Sequence, residues 1–417
     1  MTSSLGTSPG AAAQPGPASP AAEPCVLLKL GEIVLKGRNR QQFEKLLHTN
    51  IRGAVREMKI SLWQREGVIM LRIEEDPAGA GTPAEQEAKV RALAERMRDI
   101  PGIVRVCPAL RVAKDPESAV AAAIELTRDK PGTFAVRPRR RDKRFPLRSA
   151  EMAVLIGRRI QQAHGYPVDL SNPDTTVFVE VDQHEVFVFT EGLPGQGGLP
   201  VGMSGRGLVL MSGGIDSPVA AYRMIRRGLR CDFLHFSGMP LTGAESVYKA
   251  YALVRGLDRF QGRSRLFVVA FGKAQQKLAS SGASRLQIVA QRRLMLATGE
   301  ILARRLHASA LVTGDSLGQV SSQTLTNIIA LDDAATLPIL RPLIGWDKTE
   351  IMAEARQIGT LGISELPDQD CCTLLTPRRV ETKARIDDLH KIEHRLAAGD
   401  LAEELAGAAQ EYRLEKV

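Results

Sequence analysis

The chain has 417 residues, 44% of them hydrophobic, and a formal charge of +9 from 56 Lys and Arg against 47 Asp and Glu. That length suits two or three domains and a sizeable buried core. No run of eighteen apolar residues occurs, so no membrane-spanning helix is expected, and the moderate basic excess suits a polyanionic partner as well as a plain soluble protein.

Residues 1–24 are mostly Ala, Pro, Gly and Ser, with no basic start and no long apolar stretch. They read as a disordered tail rather than a signal peptide. Five cysteines, an odd number in so long a chain, argue for a reducing cytoplasm rather than a disulfide framework. A small α/β unit starts at residues 25–30. Helical spacing of Phe43, Leu46, Leu47, Ile51 and Val55 predicts a helix over 41–58, and 68–73 reads as a strand. The Gly/Ala/Pro stretch 76–83 is a linker. Helices are expected at 85–98 and 117–127, a strand at 133–136, and a hairpin from 176–181 and 185–190. Gly192 to Pro200 is a second break.

The segment after residue 133 is basic. Arg137, Arg139, Arg140, Arg141, Lys143, Arg144, Arg148, Arg158 and Arg159 face only Asp142 and Glu151. A solvated charge run is the ordinary reading of such a patch. Arginine forks interrupted by Phe145 and two prolines, with Phe134 alongside, also suit a grip on nucleic-acid phosphates.

From Gly207 the pattern alternates: strands at 208–211, 231–236, 266–270 and 309–313, with helices at 218–228, 244–257 and 284–306 between them. This order predicts a parallel sheet covered on both faces, with ligands at the carboxyl ends of its strands. The first turn, Ser212-Gly213-Gly214-Ile215-Asp216-Ser217-Pro218, joins a buried strand to a helix. Two glycines let backbone amides crowd a bound group, and the helix N-terminus adds partial positive charge, so an anion cradle is expected. It is not a Walker loop, because no Gly-Lys-Ser/Thr follows.

That string resembles the pyrophosphatase loop (PP-loop) of enzymes that split ATP into AMP and pyrophosphate. Residues 311–324 (LVTGDSLGQVSSQT), 340–351 (LRPLIGWDKTEI), 370–377 (DCCTLLTP) and 30–40 (LGEIVLKGRNR) resemble, in order, further signatures of the tRNA 4-thiouridine synthases. The resemblance implies an α/β multidomain protein. It would have a ferredoxin-like N-terminal domain (25–80), a THUMP tRNA-binding domain (85–193), and a Rossmann-like, parallel-sheet PP-loop ATP pyrophosphatase domain (200–417). ATP would be consumed with Mg²⁺. Ser212, Gly213, Gly214 and Ser217 would hold the departing phosphates, with Asp216 acting through Mg²⁺. Leu210, Met211, His235, Phe236, Arg292, Gly314 and Gln323 match the family's other ATP positions. For His235, packing or a backbone contact to adenine is expected rather than acid-base chemistry. Lys348, with Asp347 as N-cap, matches a lysine that would neutralise charge on the α-phosphate. Arg137, Arg139, Arg140, Arg141, Lys143 and Arg144 would meet tRNA.

Sulfur handling falls by resemblance to Cys371, with Cys372 beside it. Neither belongs to a Cys-x-x-Cys, so the usual spacing for zinc or an iron–sulfur cluster is missing. The chain ends at Val417 without the rhodanese domain of longer family members. A persulfide on Cys371 or Cys372, a separate rhodanese and free sulfide therefore all remain open as the immediate source. A cysteine desulfurase is the family's usual donor, thiamine thiazole synthesis can draw on the same relay, and a homodimer is left open. Two other readings stand beside this one. The first is a different adenylating enzyme, such as a tRNA 2-thiouridylase or an amidotransferase synthetase. The second is a non-catalytic tRNA-binding protein, disfavoured by the presence of Asp216, Lys348 and Cys371.

Overall fold

The computed structural model describes residues 22–65, 67–74, 82–367, 375, 377 and 379–414. Most of the expected tail, and both Cys371 and Cys372, lie outside the described residues. In chain order the elements are β1 (Glu23–Leu30), α1 (Arg40–Ala54), β2 (Ile60–Arg65), β3 (Val68–Ile73), α2 (Pro83–Arg98), β4 (Ile103–Val112), α3 (Pro116–Thr127), β5 (Phe134–Arg140), α4 (Ser149–His164), β6 (Thr175–Val181), β7 (Val186–Phe189) and β8 (Leu193–Pro194). Then come β9 (Arg206–Leu210), α5 (Asp216–Arg226), β10 (Arg230–Ser237), α6 (Glu245–Gln261), β11 (Arg265–Ala270), α7 (Gly272–Ser280), α8 (Gln287–Arg305), β12 (Ala310–Val312), α9 (Leu325–Asp332), β13 (Ile339–Leu340), α10 (Lys348–Gln357), α11 (Leu361–Ser364), α12 (Ile386–Leu396), α13 (Ala398–Gly407) and β14 (Gln410–Arg413).

Two compact units result. One takes residues up to Leu28, Lys59–Ala94 and Val106–Leu193; the other takes Lys29–Met58, Glu95–Arg105 and Pro194–Val417. In the first unit, alternating side chains line opposite faces of an extensive sheet, as strand geometry requires. Val177, Val179, Val186 and Val188 pack with Ile156 and Ala119 of the helices, while Phe187 and Phe189 join Cys107, Met70 and Trp63 on the other side. Strand β5 pairs in parallel with β6 along Phe134 to Arg140 and is the last strand on that side of the sheet. The expected strand 133–136 therefore runs on into the basic segment, and Glu23 and Pro24, counted with the tail, belong to β1.

The second unit contains a six-stranded sheet in the order β13-β12-β9-β10-β11-β14. Its first five strands are parallel, and both faces are buried. Leu208, Leu234 and Phe236 point to one core, and Val209, Met211 and Phe233 to the other. Continuous apolar runs are what such doubly covered strands need, and each fully buried Leu or Phe contributes about 1.5–3 kcal/mol. The strands expected to form a parallel sheet do so, and a strand outside that expectation, β14, adds antiparallel beside β11, Leu266 opposite Tyr412. Two further details differ. Helix α7 intervenes before α8, and the helix after the loop opens at Asp216, two residues before Pro218. Pro218 still lies within the first turn, where a missing N–H leaves no bond unmade.

Candidate nucleotide-binding active site

The chain runs from β9 to β10 to β11, then crosses back to place β12 on the other side of β9. In a parallel sheet this reversal opens a crevice at the carboxyl ends of the two central strands. Residues 210–217 leave β9 into that crevice, and residues 313–315 leave β12 into it. Val312 lies opposite Val209 in the ladder, so the two segments emerge side by side. Gly314 is required by this closeness: a Cβ there would stand 2.7 Å from the Ser217 nitrogen and 2.8 Å from the Asp216 carbonyl carbon.

The loop is organised by two hydroxyls. The Ser212 N–H donates to Ser217 Oγ at 3.0 Å, and the Gly214 N–H donates to Ser212 Oγ at 3.3 Å. Ser217 Oγ in turn lies 3.2 Å from the Ser212 carbonyl oxygen. Amide donors thus converge beside the N-terminus of α5, the arrangement that favours phosphate.

Asp216 sits on that first turn, half-buried, and takes two partners from distant sequence. Lys348 Nζ donates to Oδ1 at 2.7 Å, and Gln319 Nε2 donates to Oδ2 at 3.0 Å. Lys348 is the first residue of α10 because Asp347 caps the helix, accepting from Thr349 N–H at 2.8 Å and Glu350 N–H at 2.9 Å. The preceding Trp346 is fixed as well. Its carbonyl accepts from Ser316 Oγ at 2.7 Å, and the Arg223 guanidinium stands 4.0 Å over its ring.

Behind the loop lies a cavity of about 280 Å³. Leu210, Met211, Ser212, Asp216, Ser217, His235, Phe236, Arg292, Gly314 and Gln323 all line it, together with Gln291, Thr313 and Asp315. Ten of the expected residues therefore converge on one crevice. Gly213 and Gly214 belong to the same loop, and Lys348 stands at Asp216. Asp315 is the hub of the far wall. Its Oδ1 accepts from Arg292 at 2.5 Å and Gln323 at 3.3 Å, and its Oδ2 accepts from Thr313 at 2.8 Å and Arg341 at 3.2 Å. Burial alone would raise the Asp315 carboxyl, but Arg292, Thr313 and Arg341 outweigh it and hold it below the usual carboxylate range. Asp315, Arg341 and Gln319 fall inside the motifs singled out above, yet no role was expected of them. Their signal was a charged or amide residue immediately beyond a strand or in its connecting loop.

His235 is 1% exposed, with Nδ1 2.9 Å from the Met211 carbonyl and Nε2 3.1 Å from Ser246 Oγ. Both ring nitrogens tie strand β10 to its neighbours. In the basic segment the six expected residues differ. Arg139 and Lys143 are exposed with no partner among the described residues. Arg137 donates to the Leu170 carbonyl at 2.5 Å, and Arg140 to that of Phe145 at 3.4 Å. Arg144 is paired with Asp142 at 3.1 Å, and Arg141 stands 3.9 Å from Glu180. Phe134 and Phe145, at 1% and 3% exposure, belong to the core and offer no stacking surface. Cys25, Cys107 and Cys231 are buried thiols outside any disulfide, and burial pushes Cys25 and Cys231 far up from the usual thiol range.

Comparison with known proteins agrees with this geometry. Residues 202–398 match the family Thiamine biosynthesis protein (ThiI), residues 117–191 the THUMP domain, and residues 25–107 the ThiI ferredoxin-like domain. The chain is 52% identical over 388 residues to a probable tRNA sulfurtransferase of Nocardia farcinica, covering 91% of this chain and 92% of that protein. A probable tRNA sulfurtransferase of Thermus thermophilus is 41% identical, with 89% of each chain covered. Among solved structures, a 4-thiouridine synthetase in complex with RNA and ATP superposes with a TM-score of 0.84 at 31% identity, covering 94% of this chain and all of that one. Sequence, fold and crevice agree, and the chain belongs to the tRNA sulfurtransferase (ThiI) family.

Proposed function

We propose that this protein is an ATP-dependent tRNA sulfurtransferase that converts uridine 8 of tRNA to 4-thiouridine. The observation that carries the reading is the meeting of Asp216, Lys348 and Gln319 at the mouth of a cavity whose walls come from the first and fourth strands of the parallel core. ATP lies with its adenosine against Leu210, Met211, His235, Phe236, Arg292, Gly314 and Gln323 and its β- and γ-phosphates in the 212–217 loop. Uridine O4 attacks the α-phosphorus, the bond to the β-phosphate breaks, and pyrophosphate leaves. Lys348, freed from Asp216, neutralises charge that develops on the α-phosphate, where a preorganised cation acts most strongly. The terminal sulfur of a cysteine persulfide then attacks C4 and AMP departs. A second thiol attacks the cysteine-side sulfur of the resulting C4–S–S–Cys bond, so that 4-thiouridine leaves and an enzyme disulfide forms, which an external dithiol reductant reopens.

Mg²⁺ fits this mouth. A single carboxylate beside a phosphate cradle is how proteins commonly hold that ion, with phosphates and waters as its other ligands. Among the described residues no cluster of three His, Cys, Asp or Glu could hold it alone. Asp216 is the residue to carry it, and the ion would supply charge neutralisation for the leaving pyrophosphate.

Sulfur arrives through Cys371. Thiols buried like Cys25, Cys107 and Cys231 are inert, which leaves the two adjacent cysteines as carriers. A cysteine desulfurase would load the terminal sulfur, directly or through a separate rhodanese, and the same pool would serve thiamine thiazole synthesis. The basic segment 137–144 receives the tRNA in the cytoplasm, where thiols stay reduced. No described helix is long and apolar enough to cross a membrane. The decisive experiment is nucleoside analysis of tRNA from a deletion strain: 4-thiouridine should vanish, return with the intact gene, and stay absent with Asp216→Ala. Unchanged 4-thiouridine in the deletion strain sinks the assignment.

A further inference from the structure

A second cavity in the same unit, of about 220 Å³, opens where the ends of α1 and α2 meet the start of β10 and the turn after α6. It lies by the amino ends of β10 and β11, whereas the nucleotide crevice lies at carboxyl ends. Its walls carry four arginines: Arg96, Arg230, Arg259 and Arg263.

These guanidinium groups are short of counter-charge. Arg230 donates to the carbonyls of Gly262 at 3.0 Å and Gln261 at 3.4 Å, and Arg96 to that of Ala54 at 3.3 Å. All three acceptors are neutral. Among the described residues, no carboxylate lies within ion-pair distance of Arg96, Arg230 or Arg263. Arg259 stands 3.8 Å from Asp99, donates to the Ile358 carbonyl at 3.2 Å and lies 4.6 Å over the Phe260 ring. Of the acids near Arg230, Asp258 accepts from the Ser264 N–H at 2.7 Å, and Asp232 is paired with Arg206 at 3.0 Å and Arg265 at 2.7 Å. Burial, and then the like charge of Arg206, push Arg230 below its usual value; Asp232 and Asp258 oppose the shift without reversing it, and Arg263 adds to the repulsion. Arg263 is held at φ +55°, a conformation that a side-chain-bearing residue keeps only where its surroundings fix it.

Like charges gathered in a partly desolvated pocket are unfavourable unless an anion joins them. Guanidinium forks match the oxygens of phosphate in geometry as well as charge. We infer that this cavity is a phosphate-binding site, separate from the ATP crevice, that takes either a backbone phosphate of the RNA or a free phosphate ion. Arg263 and Arg96 supply donors that no acid among the described residues occupies, and Arg230 supplies a further charge in the same wall.

The test uses the full chain, with the ATP crevice filled by a non-hydrolysable ATP analogue. Thermal unfolding is followed against inorganic phosphate, with chloride at matched ionic strength as the control. Phosphate should raise the midpoint of the wild type, and Arg96→Gln/Arg263→Gln should lose at least half of that rise. Arg263→Gln alone, at an exposed position without a side-chain partner among the described residues, should lose part of it and guards against a folding defect. The salt dependence of tRNA binding identifies the source. If the RNA backbone fills the site, the log–log slope of the double variant falls by about one for each lost contact. If a free ion fills it, the slope stays and only the phosphate effect is lost. An equal phosphate response in wild type and double variant, with an unchanged slope, overturns the inference.

Discussion

Lys348 Nζ lies 2.7 Å from Asp216 Oδ1, though 131 residues separate them in the chain. One is the first residue of α10 and the other of α5. Two helix N-termini thus meet at one ion pair, and a nucleotide entering the loop has to compete for both partners. Asp216→Ala should abolish 4-thiouridine formation while tRNA affinity stays within about a few-fold, if the basic segment 137–144 supplies the main grip on tRNA as proposed. Lys348→Ala should slow tRNA-dependent pyrophosphate release roughly 100- to 1,000-fold, the scale of losing one preorganised charge in the transition state. Wild-type release rates in Lys348→Ala would contradict its role.

The basic segment is not uniform, and its members should not contribute equally. Charge reversal at Arg139 and Lys143, exposed and partnerless among the described residues, should weaken tRNA binding and lower the salt slope by about one per contact. Arg144→Glu should matter less, because Asp142 already neutralises it at 3.1 Å. ATP binding should be untouched by all three. Filter binding across a salt series reads the difference, and an equal effect at every position would mean that only net charge counts.

Asp315 holds the far wall of the crevice. Asp315→Asn leaves the Arg292 and Arg341 guanidinium groups without their shared carboxylate, and breaking a buried pair in this way costs about 3–5 kcal/mol. The carboxyl is depressed in the folded state, so its stabilisation is complete above the unfolded-state value of about 4 and is lost as pH falls through the folded one. The gap in unfolding midpoint between wild type and variant should therefore be constant from about pH 5 to 8 and close below about pH 4. A gap that persists in acid would mean that packing, not charge, is what the substitution removes.

Cys371→Ser should stop thiolation driven by a desulfurase yet spare tRNA-dependent pyrophosphate release, because the phosphate chemistry uses Asp216 and Lys348 but no thiol. Cys372→Ser should be milder, and a high concentration of sulfide should restore Cys371→Ser in part. Mass spectrometry after incubation with desulfurase and cysteine should find the added sulfur on the Cys371 peptide. Sulfur only on Cys231 or Cys107, both buried, would make Cys371 a bystander.

The run Gly207 to Pro218 declares its own local structure: four apolar residues, two glycines, then a proline that only a first helical turn accepts. The parallel core was legible for the same reason, since strands buried on both faces must be apolar throughout. Asp347 as the cap of α10 was equally local. What the chain could not declare alone was pairing across distance. Nothing near Asp315 in sequence says that Arg292, Gln323 and Arg341 converge on it, because that depends on which strand lies beside which. The antiparallel β14 was missed because Gln410 to Arg413 is mostly polar; its place comes from pairing with β11 rather than from its own pattern. Likewise Phe145 interrupts the basic run in sequence and is a core residue in the fold. Composition and periodicity determine which elements form and what chemistry they carry. Only packing decides which charges are neutralised, and so which remain to meet a substrate.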